Sequence, residues 1–512
     1  MELPRTIRHV IDLRADAQPD KVYLLAPETG RTLTYGQLRR DARLLAGVLR
    51  AQGLRPGEKV ALMLHNGYQT ADLFLGVMYA GCVVAPLNLL AQASQLAYVL
   101  EHSGARVIFV APEYRERLTV ALAGCTRPVA VHEIDIDAEE IFPGASPEED
   151  LPEIAEDGEA LLMYTSGTTG RPKGALLTHR NVVAGGRFTS EAHALGPDDR
   201  VLCSLPLYHI NGQIVTVVAP LVHGGSIVMP HKFSVSNFWE LLAHYRCTWF
   251  NVVPTIVSYL LNEPDPRVAR RELALERLRF GRSASAPLPP SLHQAFERQF
   301  GFDIIETMGL TETAAPVFSN PLDPAKRKVG SPGVAFGVEA KDGGRAGRER
   351  ARGAVGEILV RGDNVMQRYH QDPKTTAETL EPDGWLHTGD LGYRDADGFF
   401  FITGRLKELI IKGGENIAPR EIDEALYRHP AVLEAAAVGI PDPAYGQEIM
   451  ACIVLKPGQR CSEGELRTFC LKELGRYKTP KIIRFVNSIP KGPSGKVQRL
   501  KLIEIPSTGV SL

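Results

Sequence analysis

The sequence predicts an α/β protein. A large N-terminal domain of parallel-rich sheets covered by helices is followed by a small α+β C-terminal domain. Three observations carry that reading. Short apolar strand-like runs alternate with helix-like runs through most of the chain. The 512 residues exceed one ordinary domain. The pattern also changes late in the chain, where a strand-like run breaks at "TGR" and a new one starts at "ELIIKGG".

Taken in order, "EKVALMLHN" reads as a buried strand, "YQTADLFLGVMYAG" as a helix ending at glycine, and "CVVAPLN" as the next strand. "ASQLAYVLEHSG" is a helix and "ARVIFVAP" a strand. "IVTVVAPLVHGGSIVMP" (214–230) is the most apolar stretch, but Pro220, His223 and two glycines break it into core helix and strand. It is too short to span a membrane. Strands recur at "RCTWFNVVP" and "LRFGRSASAPL". The Gly- and Arg-rich 341–356 reads as a solvated turn between strands. After "ITGRLKELIIKGGEN" a helix opens at Pro419. The expected division is therefore 1–404 for the large domain, 405–407 for the junction and 408–512 for the small domain.

Composition narrows the function. The chain is 44% hydrophobic and 23% charged, with a formal net charge of −2. No overall basic field suggests nucleic acid. Seven scattered cysteines form no CxxC pair, so neither a zinc site nor a disulfide framework is indicated. The first residues carry acids early and lack a secretory h-region. A cytoplasmic protein without a membrane span is expected.

One loop points to chemistry. "ALLMY" is a strand, and "TSGTTG" (165–170) follows it directly, with Lys173 close behind. Hydroxyls, glycines that let backbone N–H groups approach a ligand, and a nearby ammonium are the means of holding phosphate. The spacing is not that of a Walker loop, here or in "KGPSGKVQR".

"YTSGTTGRPKGALLTH" resembles the phosphate-loop signature of the adenylate-forming superfamily, which includes acyl-CoA synthetases, peptide-synthetase adenylation domains and beetle luciferases. Further matches follow in the family's order. "LPLYHINGQ" is similar to its acyl-pocket motif and "TMGLTET" to its aromatic-Gly-x-Thr-Glu motif. "GWLHTGDLG" is similar to its ribose-binding segment, "GRLKELIIKGGENIAPREIDEAL" to its hinge and thiolation segment, and "PKGPSGKVQR" to the motif of its adenylation lysine.

The resemblance implies two steps on ATP, Mg²⁺ and coenzyme A. A carboxylic acid attacks the α-phosphorus to give acyl-AMP and pyrophosphate, and a thiol then takes the acyl group and releases AMP. It implies that Thr165, Ser166, Gly167, Thr168, Thr169, Gly170 and Lys173 hold phosphates. Thr311 would bond a phosphate oxygen and Glu312 would bind Mg²⁺. Asp390 and Arg405 would hold the ribose, with Met308 at the adenine. Lys496 would bridge the carboxylate and the α-phosphate, where two anions meet and a cation in a dry site is needed. The small domain is expected to be mobile, turning at Lys407 so that Gly413 and Gly414 line a pantetheine tunnel.

Three positions depart from the family pattern: Met308 for an aromatic, Arg368 for a frequent glycine, and Ala284 for another. The acyl pocket is expected at His209, Asn211, Gln213, Val253, Ser283, Ala284 and Thr307. Asn211 falls where amino-acid-activating relatives commonly place an aspartate, so a non-amino organic acid is expected, short to medium in length or with a ring. An acid–CoA ligase is the leading reading. A loader of a separate phosphopantetheinyl carrier protein stays open, and a luciferase-like oxygenase or non-catalytic relative is the third. The sequence does not give the oligomeric state.

Overall fold

A computed structural model describes residues 5–165, 171–343, 354–492 and 496–506. Ser166, Gly167, Thr168, Thr169 and Gly170, and most of the Gly- and Arg-rich stretch, lie outside them.

Two parallel-rich sheets form the body of the large N-terminal domain. A seven-stranded sheet runs in the order Arg368–Tyr369, Lys173–Thr178, Glu159–Thr165, Val83–Pro86, Lys59–Met63, Val107–Val110, Ala130–Glu133. Its central strands pair in parallel, Val60 lying beside both Val84 and Val107. Helices Tyr68–Tyr79 and Ala93–Ser103 make the crossovers. Central strands covered on both faces lose the polar alternation of a half-exposed strand. Accordingly Val83–Pro86 and Val107–Val110 are buried at every position.

A nine-stranded sheet carries the strands Trp249–Val252, Phe280–Ser283 and Ile304–Leu310 side by side in parallel. The most apolar stretch of the sequence covers part of it, as expected, but with a difference. Asn211–Val218 is wound as a π-helix and becomes α-helical only at Ala219–His223. Wide turns of this kind are frequent at functional sites.

Two further sheets follow, one antiparallel and one antiparallel except for its last strand, Ile482–Phe485, which pairs in parallel with Gly446–Leu455. Four strands, Glu339–Gly343, Gly356–Arg361, Leu386–Arg394 and Phe400–Arg405, form one. The smaller C-terminal domain is built on five: Ile410–Lys412, Glu415–Ile417, Val432–Asp442, Gly446–Leu455 and Ile482–Phe485. Helix Pro419–Tyr427 opens at its proline as expected and buries Ile422 and Leu426 against this sheet. The hairpin at Lys412–Glu415 turns through Gly413 and Gly414, whose φ angles of +55° and +86° suit a two-residue turn that most residues adopt only with strain.

All seven cysteines are free. Cys82, Cys203, Cys247, Cys452 and Cys470 are buried, and Cys125 and Cys461 are half-buried. Among the described residues no helix is long and apolar enough to cross a membrane.

Candidate active site

Strand register makes the first contact. Asp390 on Leu386–Arg394 lies directly opposite Arg405 at the end of Phe400–Arg405, so their side chains share a face. Arg405 Nε stands 2.6 Å from Asp390 Oδ1, and its Nη2 donates to Oδ2 at 3.2 Å. Two parallel contacts of this kind are the strong form of an ion pair. Asp390 is only 4% exposed. Burial raises its carboxyl, with Arg405 and Lys496 opposing that rise.

Lys496 reaches the same place from the C-terminal domain. The N–H of Gly492 donates to Lys496 O at 2.7 Å and that of Gln498 to Pro490 O at 2.9 Å. These bonds close a loop on which the lysine projects. Arg499 anchors it, bonding Asp423 at 2.6 Å, Ala437 O at 2.8 Å and Glu408 at 3.1 Å. Lys496 Nζ lies 3.7 Å from Glu408 Oε1. Burial, then the charge of Arg405, lowers its ammonium below the ordinary lysine value, against the pull of Glu408 and Asp390. A cavity of about 210 Å³ is lined by Lys496, Asp390, Arg405, Met308, Thr307 and Ser285, among others. Residues far apart in the sequence, from Pro254 to Arg499, thus share one chamber.

Glu312 and Thr311 lie on a single 3₁₀ turn, Thr311–Thr313. The turn is held by Met366 N–H donating to Glu312 O at 2.7 Å and by Asn364 Nδ2 donating to Thr313 O at 2.8 Å. Tyr369 Oη donates to Glu312 Oε1 at 2.8 Å. Just before the turn, Gly309 leaves no room for a side chain: a Cβ there would stand 2.2 Å from Ala315 O. Lys173 starts the strand paired with Thr165, and its Nζ lies 5.5 Å above the Tyr369 ring. Glu312, Tyr369, Arg405, Asp390 and Lys496 therefore form one electrostatic group.

The expected acyl-pocket residues divide. Thr307 lines the chamber, buried, with no hydrogen-bond partner for Oγ1 among the described residues. Asn211 stands one bond behind, donating from Nδ2 to Ser285 Oγ at 3.0 Å. His209, Gln213, Val253, Ser283 and Ala284 are not among the lining residues. Gln213 is fully buried and donates from Nε2 to Leu207 O at 2.6 Å. His209 packs on Tyr208, with ring centroids 4.7 Å apart. Ala284 N–H bonds Val252 O at 3.2 Å. Of the other departures, Arg368 pairs with Glu159, which also holds Lys59 at 2.9 Å. Met308, which departs from the aromatic of the family pattern, lines the chamber.

Sequence reasoning passed over Arg282 and Asn251. Arg282 is 1% exposed and donates from Nη1 to both Asn211 Oδ1 (2.8 Å) and Asn251 Oδ1 (2.9 Å). The available signal was slight, an arginine within the short strand run "FGRS"; arginine is almost never fully buried without a partner. Gly413 and Gly414 are placed elsewhere, at the tip of their hairpin and outside the chamber lining. Lys407 sits in the 3₁₀ turn Leu406–Glu408, between Phe400–Arg405 and Ile410–Lys412.

Comparison with known proteins adds the following. A family model described as AMP-binding enzyme matches residues 11–370, and one described as AMP-binding enzyme C-terminal domain matches 421–496. A sulfoacetate–CoA ligase of Cupriavidus necator is 56% identical over 504 residues, 97% of each chain. An oxalate–CoA ligase of Saccharomyces cerevisiae is 32% identical, covering 95% of this chain and 94% of its own. Among solved structures, ATP-bound MatB from Rhodopseudomonas palustris superposes with a TM-score of 0.89 at 30% identity over 98% of each chain.

Proposed function

The chain belongs to the AMP-binding enzyme family and is an AMP-forming acid–CoA ligase, and we propose that the acid it activates is sulfoacetate or a similarly small acid bearing a second anionic group. It converts a carboxylic acid and ATP to acyl-AMP and pyrophosphate, then transfers the acyl group to the thiol of coenzyme A. The observation carrying the choice of acid is the 56% identity, over nearly the whole of both chains, to a ligase of that acid.

The proposed roles follow from the chamber. Asp390, ionised in its bidentate pair with Arg405, accepts the ribose hydroxyls, and Arg405 steadies the carboxylate. Lys496 neutralises the approaching carboxylate and α-phosphate, where a fixed charge acts strongly once the bound substrates have excluded water. Thr165, Lys173 and Thr311 surround the phosphates, a task that the sequence also assigns to Ser166, Gly167, Thr168, Thr169 and Gly170, which lie outside the described residues. Met308 packs on the adenine with its thioether.

Mg²⁺ fits Glu312. Among the described residues no cluster of three His, Cys, Asp or Glu side chains could hold a metal, and a hard cation carried mainly by phosphates and water asks for one carboxylate. Bound there, it would offset the charge of the departing pyrophosphate. Tyr369, bonded to Oε1, leaves Oε2 of Glu312 to the ion. Glu312→Ala is expected to cut ATP–pyrophosphate exchange by roughly a hundredfold or more, since a lost Lewis-acid contact is worth several kcal/mol. Excess Mg²⁺ should restore part of it. Exchange at the parent rate in the variant would remove Glu312 from this role.

Residues 405–407 are taken as the junction between a large domain (1–404) and a small one (408–512). The pantetheine path past Gly413 and Gly414 then opens only after rotation about Lys407. Seven free thiols and the need for ATP and CoA support a cytoplasmic site of action. The test is pyrophosphate release over a panel of acids, followed by thioester detection with free CoA. Sulfoacetate should give the highest kcat/KM. A fatty, aromatic or unsubstituted short acid that outperforms it would overturn the choice of acid.

A further inference from the structure

We propose that Arg282 is the specificity-determining residue that answers the acid's second, non-reacting anionic group; this deepens the reading of a doubly charged acid and rests on it. Arg282 lies in the strand Phe280–Ser283, and register sets Asn251 beside it. Both side chains meet Asn211, on the π-helix that covers the sheet. Nη1 is held by two neutral amide oxygens. Nε is buried with no partner, and among the described residues Arg282 has no ion pair with a carboxylate.

That arrangement is unusual on charge grounds. Moving a guanidinium out of water is costly unless an anion or a full set of hydrogen bonds replaces the water. His193, a titratable neighbour, supplies no counter-charge. His193 is pushed to about 3, by burial first and then by Arg282, so it stays neutral. Arg282, which lies behind the chamber wall and not on its lining, therefore has no counter-ion among the described residues, and a bound anion would supply one.

The position fits a small acid. Asn211 ties Arg282 to Ser285, a wall residue of the chamber that Lys496 enters. Thr307, two residues beyond the Ile305 that pairs with Arg282, shares the face and brings an unsatisfied hydroxyl. An acid whose carboxylate faces Lys496 would direct its far end toward Thr307, Asn211 and Arg282. A sulfonate, with three acceptor oxygens, can take hydrogen bonds from several of these groups together. An α-ammonium would meet a like charge, and a long hydrocarbon tail would strand the guanidinium.

The experiment compares sulfoacetate with methylsulfonylacetate, which keeps the sulfonyl oxygens but not the second charge. The readout is the ratio of their kcat/KM values in pyrophosphate release. The parent enzyme should favour sulfoacetate strongly. Asn211→Asp keeps the shape and gives Arg282 its own counter-ion. It should lower the ratio by roughly a hundredfold, on the scale of truncating one partner of a buried charge pair. The loss should fall mainly in KM for sulfoacetate. Arg282→Met should do the same, and Arg282→Lys should keep part of the preference. A merely structural role would depress both acids together. A parent ratio near one would overturn the doubly charged acid itself, and this inference with it. A high parent ratio left unchanged in Asn211→Asp would overturn only the role of Arg282, even if Arg282→Met fails to fold.

Discussion

Lys496→Ala is expected to slow acyl-adenylate formation by roughly 10²–10³, the scale of losing one preorganised electrostatic group. Thioester formation from supplied acyl-AMP should continue near the parent rate. The reason is positional. Lys496 shares the chamber with Asp390 and Arg405, the place where carboxylate and phosphate must meet, and it has no task once the mixed anhydride exists. The ammonium also sits below its ordinary value, through burial and the charge of Arg405. Only the protonated form can serve, so adenylation should be present at lower pH and lost as pH rises through that lowered value. Lys496→Arg should carry the alkaline limb upward. Equal damage to both half-reactions, or an alkaline limb unmoved by arginine, would contradict the role.

Lys407→Pro should separate the two half-reactions in the opposite sense. Lys407 lies in the short 3₁₀ turn Leu406–Glu408, where backbone φ runs near −60°, a value proline already has. The arrangement with Lys496 in the chamber should therefore tolerate the ring, and acyl-AMP should form at nearly the parent rate. Domain rotations concentrate large φ/ψ changes in a few residues. A ring opposing such a change by about 3 kcal/mol would lower thioester production roughly a hundredfold. Both half-reactions would be measured on one preparation, with thermal unfolding as a control. A folded variant making thioester at the parent rate would place the pivot elsewhere.

The strand–helix alternation was legible because each unit is local: an apolar run, a glycine stop, another apolar run. Long-range register was not. Nothing in "GDLG" and "TGRLK" shows that Asp390 stands opposite Arg405, because that pairing depends on the length of the intervening turn. Gln213 was placed in the acyl pocket along with Asn211, yet Asn211–Val218 is a π-helix. Its wider turn sends Gln213 inward to Leu207 O. Arg282 was hidden for a different reason. A charge in a short run such as "RFGRS" reads as a strand end, and only the neighbouring strand Trp249–Val252 and the helix above it reveal how deeply it is enclosed.

The burial of the cysteines bears on how such an enzyme can be followed in practice. Burial pushes the thiols of Cys82 and Cys247 up to about 12 and those of Cys203 and Cys470 up to about 11. A thiol near 12 is ionised to only about one part in ten thousand at pH 8, and these four are also shut away from bulky reagents. Coenzyme A in free solution has no such protection. A chromogenic disulfide added to aliquots withdrawn from the reaction should therefore report the disappearance of free coenzyme, with a small fixed background from Cys125 and Cys461. Colorimetry of substrate consumption in timed aliquots is then available without engineering the protein, and a growing background would itself signal unfolding.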